Sequence, residues 1–242
     1  MKQKMHIICL RTVRYSDSAN ILSAYSRENG RVSFLMSDGK GRESSRRRAL
    51  TQPLSILECV ADVRPGREIH RIAELRAVSP LAALRTNPVK CSIALFIAEV
   101  LCSLLRESNS DEIVWRYVER SVLALDEIET VRAANFHLWF LYGMGRCLGV
   151  SPDASEYYPG MVFDIDGGVF RKSAPLHRNY VSAERSGAVA LLERMTLENM
   201  HLFRFTREQR GEVLDGILHF LSVHHAPLSG LKSLDVLRTM FS

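Results

Sequence analysis

The hydrophobic period of this chain changes once, after Pro80, from two to 3.6, and that change decides what the chain can build. Before it lie five short runs rich in β-branched and aromatic residues, at 5–15, 20–28, 31–37, 54–63 and 69–78. Turn chemistry separates them at Glu28-Asn29-Gly30, between Gly39 and Gly41, and at Arg64-Pro65-Gly66. Five strands in about 80 residues, with no periodic helix between them, fit a small closed barrel of OB type better than a sandwich. Beyond Pro80 the segments lengthen. Residues 88–106 form an almost wholly apolar helix led by Asn87-Pro88, expected at the centre of a helical domain. Residues 111–126 follow Ser110 as N-cap, and 130–148 run to the stop at Gly149-Val150-Ser151-Pro152. Two more helices are predicted at 183–200 and 207–225, the last closed by Pro227. Between these helices, Tyr157 to Ser182 reads as a hairpin, with Met161–Asp164 and Val169–Lys172 pairing around Asp166-Gly167-Gly168. The predicted class is α+β: a five-stranded OB-type barrel over residues 1–80, then an α-helical domain over 81–242 with a β-hairpin inserted at about 157–182.

Charge separates the same two parts. Residues 1–80 hold 15 Lys and Arg against 8 Asp and Glu, whereas the rest hold 17 against 19, so the whole excess of +5 comes from the first third. Such asymmetry points to nucleic acid or another anionic surface, because phosphate neutralisation supplies most sequence-independent binding. The densest stretch is Gly39 to Leu50, GKGRESSRRRAL, expected as a glycine-hinged loop between strands. The candidate nucleic-acid contacts are Arg42, Arg46, Arg47 and Arg48, helped by Lys40 and Arg11. Tyr15, Tyr25 and Phe34 are candidate stacking surfaces, although strand parity does not settle which of them face outward.

Other chemistry finds little support. There is no G-x-S-x-G elbow for a hydrolytic serine, and Gly39-Lys40-Gly41-Arg42 lacks the order of a nucleotide-binding P-loop. His219, His224 and His225 fall near a helix end, where cations are favoured, without a carboxylate or cysteine at ligand spacing. Asp164 and Asp166 are read as starting the hairpin turn rather than as a catalytic pair. Five widely spaced cysteines, Cys9, Cys59, Cys91, Cys102 and Cys147, read as buried free thiols. The apolar run near the start is shorter than the ~7 to 15 residues of a signal peptide, and Ile93–Leu105 falls short of the ~18 a membrane span needs. A cytoplasmic protein with no membrane partner, no cofactor, no metal and no catalytic residue is expected.

The first third resembles the RecO family of bacterial recombination mediators. The resemblance is carried by IICLRTVRYSDSANILSAYSRENGRVSFL, with Arg11, Tyr15 and Ser18 before the strand and Arg27, Glu28, Gly30 and Arg31 at the turn. It continues through GKGRESSRRRALTQPLSILE and RPGREIHRIAELR, with Pro53, Gly66 and Arg67, and more loosely through NFHLWFLYGMGRCLGVSPD. The resemblance implies an N-terminal OB barrel, a helical C-terminal domain and no turnover of a small molecule. It further implies binding of single- and double-stranded DNA, annealing of complementary strands, contact with the C-terminal tail of the single-strand binding protein, and loading of RecA with RecR. Many members hold a four-cysteine zinc knuckle where this chain has its cysteine-free hairpin, so the position is degenerate here and zinc is not expected. Two rival readings differ in partner or class: an OB-type RNA-binding protein gripping the same kind of backbone, and a metal-dependent hydrolase built on His219 to His225.

Overall fold

Alternation of apolar residues builds the first sheet. In the computed structural model, which describes residues 2–37, 39, 41–64, 66–106 and 109–241, β1 (Lys2–Ser16), β2 (Ala19–Ser26) and β3 (Gly30–Ser37) form a meander. After α1 (Arg42–Leu50) come β4 (Ile56–Asp62) and β5 (Ile69–Ala77). The five close into a barrel in the order β1-β2-β3-β5-β4, with β3 and β5 parallel and the other pairs antiparallel. Every second residue points inward: Met5, Ile7 and Cys9 on β1, Leu22 and Ala24 on β2, Val32, Phe34 and Met36 on β3, Leu57, Cys59 and Ala61 on β4. Phe34 is therefore buried inside the barrel, and Tyr25, on the outer face of β2, is fully buried by the helix that covers it, which removes two of the three expected stacking rings. Tyr25 lies against Trp115 with ring centroids 6.3 Å apart, while Tyr15 stays 66% exposed.

The stretch expected as a loop, 39–50, is helical from Arg42 onward. Gly41 stands in extended geometry (φ −87°, ψ 172°) as the N-cap residue, Glu43 and Arg47 pair across one turn at 3.3 Å, and Ser44 Oγ accepts from Gly39 N–H at 2.9 Å. Ser44 is its one buried residue, so no apolar stripe announces this helix.

The chain divides into two compact units, residues 1–127 and 128–242. The first takes in the helices α2 (Ala82–Thr86), α3 (Pro88–Leu104) and α4 (Glu112–Glu127). Asn87 caps α3 by accepting from Val89 and Lys90 N–H, with Pro88 as its first residue. Because α3 is apolar on most sides it has more than one surface to bury, and it packs on β1 and against α2 and α4 rather than at the centre of a separate helical domain. The cap of α4 is Asp111, not Ser110: its carboxylate accepts from Ile113 and Val114 N–H.

In the second unit a 3-10 turn, Thr130–Asn135, leads into α5 (Phe136–Cys147). The hairpin then forms as expected from β6 (Val162–Asp164) and β7 (Val169–Arg171), and β8 (Tyr180–Val181) adds to the free side of β6. The helix expected over 183–200 breaks into α6 (Ala183–Ala190) and 3-10 turns at Leu191–Arg194 and Met200–Leu202. Thr196 and Asn199 exchange side-chain and backbone hydrogen bonds at 2.7 and 3.3 Å, an arrangement that competes with helix. A capping box, Thr206 with Gln209, starts α7 (Arg207–His224), and α8 (Ser233–Met240) closes the unit.

The end of α5 is tightly built. The chain turns back through Gly149 at φ +75°, and Val150 N–H donates to Gly145 C=O at 2.9 Å. A Cβ on Gly145 would sit 2.5 Å from Val150 O and 3.2 Å from Leu221 Cδ2. Gly145→Ala is therefore expected to destabilise the second unit by about 1–3 kcal/mol, read as a lowered urea midpoint; an unchanged midpoint would contradict this packing.

Of the five thiols, Cys9 and Cys59 are buried in the barrel and the other three are half-buried, so the expectation of five buried thiols is corrected for Cys91, Cys102 and Cys147. Burial pushes the Cys9 thiol far up and the Cys59 thiol to about 12. Among the described residues no helix is long and apolar enough to cross a membrane, and no three His, Cys, Asp or Glu side chains converge as metal ligands.

Candidate nucleic-acid interface

The barrel presents its positive charge unevenly, and α1 concentrates it. Arg42, Arg46 and Arg48 are exposed, and Arg47 is half-buried. Arg47 is committed to the fold: Nε faces Glu43 at 3.3 Å and Nη1 donates to Ser37 Oγ at 2.9 Å, which seats the helix on the end of β3. Arg48 donates to Ser45 Oγ at 3.4 Å. Arg85 secures the far end, donating to Ala49 O at 2.6 Å and to Ser55 Oγ at 3.3 Å. Among the described residues Arg42 and Arg46 have no ion-pair partner, which leaves both forks available for phosphate oxygens. Lys40 lies outside the described residues.

Arg11 does not join this group. It faces Ser23 across β1 and β2, while α1 is tied to Ser37, whose neighbours across the sheet are Ala19 and then Ser16. Those rows are about 13 Å apart along the strand. Arg11 instead shares its surroundings with Arg31 beside Cys102, whose thiol is raised by burial and partly drawn back by those two cations. The residues nearer the row of Ser16 are Arg14 and Tyr15, both exposed on the β1–β2 hairpin, with Arg14 bonded to Asp17 at 2.6 Å. Arg14 stood within the wider basic set of the first 80 residues; only pairing register reveals its position.

Other cations are already engaged. Arg27 pairs with Glu112 at 2.7 Å, which lowers the Glu112 carboxyl through the hydrogen bond from Arg27 first and that from Arg116 second. Arg64 pairs with Asp62 at 3.0 Å. Arg67, Arg71 and Arg76 remain exposed on or beside β5.

In the second unit the candidate acid–base and metal residues serve the hairpin. Asp164 is 2% exposed and accepts from Gly167 N–H at 3.0 Å and Arg171 Nε at 2.5 Å, with His177 Nε2 at 3.3 Å. Burial alone would raise its carboxyl; Gly167 N–H, Arg171 and His177 reverse that and hold it below the usual carboxylate range. Asp166 receives Asn179 Nδ2 at 2.6 Å. His219 bonds Asn179 Oδ1 at 2.5 Å and His224 bonds Ile165 O at 2.7 Å, so these two histidines reach separate partners. A cleft of about 520 Å3 lies between α7 and α8, with Arg207, Arg210 and Arg238 around Leu214, Leu237 and Phe241, and with Glu208, Glu212 and Asp215 on its wall.

A closed five-stranded barrel of OB type bearing a cationic helix, followed by a helical part with an inserted hairpin, defines the class. Comparison with known proteins resolves it further. Residues 1–81 match the family model for the recombination protein O N terminal, and residues 85–235 match that for the recombination protein O C terminal. The DNA repair protein RecO of Phocaeicola vulgatus is 40% identical over 242 residues, covering all of both chains. That of Bacteroides fragilis is 36% identical over 242 residues, again covering all of both, and that of Porphyromonas gingivalis is 36% identical over 240 residues, covering 97% of each. The chain belongs to the RecO family.

Proposed function

We propose that this chain is a DNA-repair and recombination mediator that binds single- and double-stranded DNA through the phosphate backbone, with little sequence preference, and promotes annealing of complementary strands. The observation that carries the reading is the pair of exposed guanidinium groups of Arg42 and Arg46 on α1, which have no ion-pair partner among the described residues, with Arg14 and Tyr15 on the neighbouring hairpin. Annealing needs no catalytic group and no cofactor. Two backbones of like charge must approach, and cations that bind phosphate reversibly lower that repulsion while the bases stay free to pair. In this reading Arg42 and Arg46 make the primary contacts, Arg47, Arg48 and Lys40 extend them, and Arg11 offers a separate contact farther along the bound backbone.

Residues 1–80 then form the nucleic-acid-binding domain and 81–242 the part that holds protein partners: RecR, with which RecA is loaded on coated DNA, and the single-strand binding protein. The α7–α8 cleft supports the second assignment: Asp215 is matched by Arg238 and Glu212 by Arg185, which leaves Arg207 and Arg210 against Glu208 beside an apolar floor, a setting that suits the end of an acidic, hydrophobic tail. The protein works in the cytoplasm, without a membrane partner.

The test is binding and annealing of labelled complementary DNA strands across a salt series, with matched RNA as competitor. Affinity that falls steeply with salt, annealing faster than the protein-free rate, and weaker competition by RNA are the expected results. Equal or better competition by RNA would favour an RNA-binding role, and absence of binding at low salt would overturn the reading.

A further inference from the structure

We propose that the loop after β7, residues 171–180 (RKSAPLHRNY), is a second nucleic-acid contact, which takes the sugar–phosphate backbone of a single strand. The proposal rests on the annealing reading above and names the second surface that annealing requires, since one cationic site holds one strand.

Residues 128–242 carry twelve Lys and Arg and twelve Asp and Glu, so this unit as a whole attracts no polyanion. The loop departs from that balance: Arg171, Lys172 and Arg178 fall within ten residues that contain no carboxylate, and His177 lies among them. The hairpin's two acids offset it only in part. Buried Asp164 is matched by Arg171, and Asp166, which accepts from Asn179 and faces His177 at 3.4 Å, offsets one further charge. Three cations against two carboxylates leave the hairpin end positive by one. The surplus resides on Lys172 and Arg178, which are exposed and, among the described residues, have no ion-pair partner.

The loop is also built rather than loose. Asp164 grips both of its arms, Ile165 N–H donates to Asn179 O at 3.0 Å, and His219 holds the Asn179 side chain at 2.5 Å. A cationic surface held in this way spends little conformational entropy when a strand arrives. Between the two free cations Leu176 stands fully exposed, and Tyr180 follows at the surface. An aliphatic side chain flanked by cations can enter between unstacked bases, and a tyrosine ring can carry one. On a surface meant only for water, this leucine has no partner.

The experiment compares the native chain with Lys172→Ala/Arg178→Ala, in which both replaced side chains are exposed and, among the described residues, have no ion-pair partner. Binding of a labelled oligothymidylate, held chiefly by α1, is expected to weaken by no more than about threefold, whereas annealing of complementary strands is expected to slow by about tenfold or more, with its salt slope reduced by about 1.4. Annealing within about twofold of native would overturn the proposal. If the native chain itself did not anneal, the underlying reading would fail instead, and a second measurement still decides the loop. A photo-reactive benzophenone side chain in place of Leu176 is expected to cross-link the oligothymidylate at low salt and to lose that cross-link at high salt; no cross-link at low salt would overturn the site.

Discussion

Alanine at both Arg42 and Arg46 is expected to weaken binding of single-stranded DNA by about 10- to 50-fold at low salt and to reduce the slope of log affinity against log salt by about 1.4, since each phosphate contact on a single strand contributes roughly 0.7. The loss is separable from unfolding. Both side chains are exposed, α1 buries only Ser44, and alanine is the better helix former, so thermal stability should be kept or slightly raised. Arg27→Ala is the matched control. That guanidinium is already engaged by Glu112 at 2.7 Å, and its removal should leave the salt slope unchanged. Equal slopes for the native chain and the Arg42/Arg46 variant would remove α1 from the interface.

The second large effect concerns His137 on α5. It is 1% exposed, its ring stacks on Phe241 at 5.5 Å, and Arg210 lies over the same phenyl ring at 5.7 Å. Burial first, and the Arg210 charge second, lower the imidazole to about 3. Its unfolded value is near ~6.5, so above that pH the ring is neutral in both states and the whole of its contribution is present. As pH falls below ~6.5 the unfolded chain takes up a proton that the folded chain refuses, and stability declines by about 1.4 kcal/mol per pH unit, or about 3 kcal/mol between pH 6.5 and 4.5. Asp164 acts lower. Its depressed carboxyl contributes stability above the unfolded value near ~3.9, and that contribution is lost as pH falls further. Urea midpoints of the native chain and of His137→Phe, compared from pH 7 to 4.5, therefore isolate the histidine. The variant should be nearly flat over that window, and two parallel profiles would refute the assignment.

The barrel was legible because its core is written at period two. Met5, Ile7 and Cys9, or Val32, Phe34 and Met36, declare a strand and its inner face without help from the rest of the chain. The hairpin at Asp166-Gly167-Gly168 and the Asn87-Pro88 helix start were legible for the same reason: each signal is local. Helix α1 was hidden because Arg42, Arg46, Arg47 and Arg48 follow no apolar period, and its geometry depends on Glu43, Ser37 and Arg85, the last reaching it from α2. The arginines were found as a charge and missed as a helix. Separating Arg11 from them, and bringing Arg14 and Tyr15 nearer, required the pairing register of β1, β2 and β3, which no spacing in the sequence specifies. The break near Thr196 was missed because hydroxyl and amide side chains can outbid an otherwise plausible helical stripe.

Strand β1 outruns its partner. β4 pairs with it as far as Ile8, and Leu54 and Ser55 reach Cys9, but from Leu10 to Ser16 it has β2 on one side and, among the described strands, nothing on the other. A row of open backbone donors and acceptors invites another strand, including the same strand of another copy. Two such edges laid antiparallel would bring Arg11 and Arg14 of each into proximity, four guanidinium groups against only the two Asp17 carboxylates that pair with the Arg14 side chains, so the charge that suits the barrel to a polyanion also keeps the chain from adding to itself. A bound strand that neutralises those arginines would lift that protection. The colloidal behaviour of the protein should thus depend on how much nucleic acid is present: well dispersed alone or in excess strand, and prone to associate through this edge near charge balance.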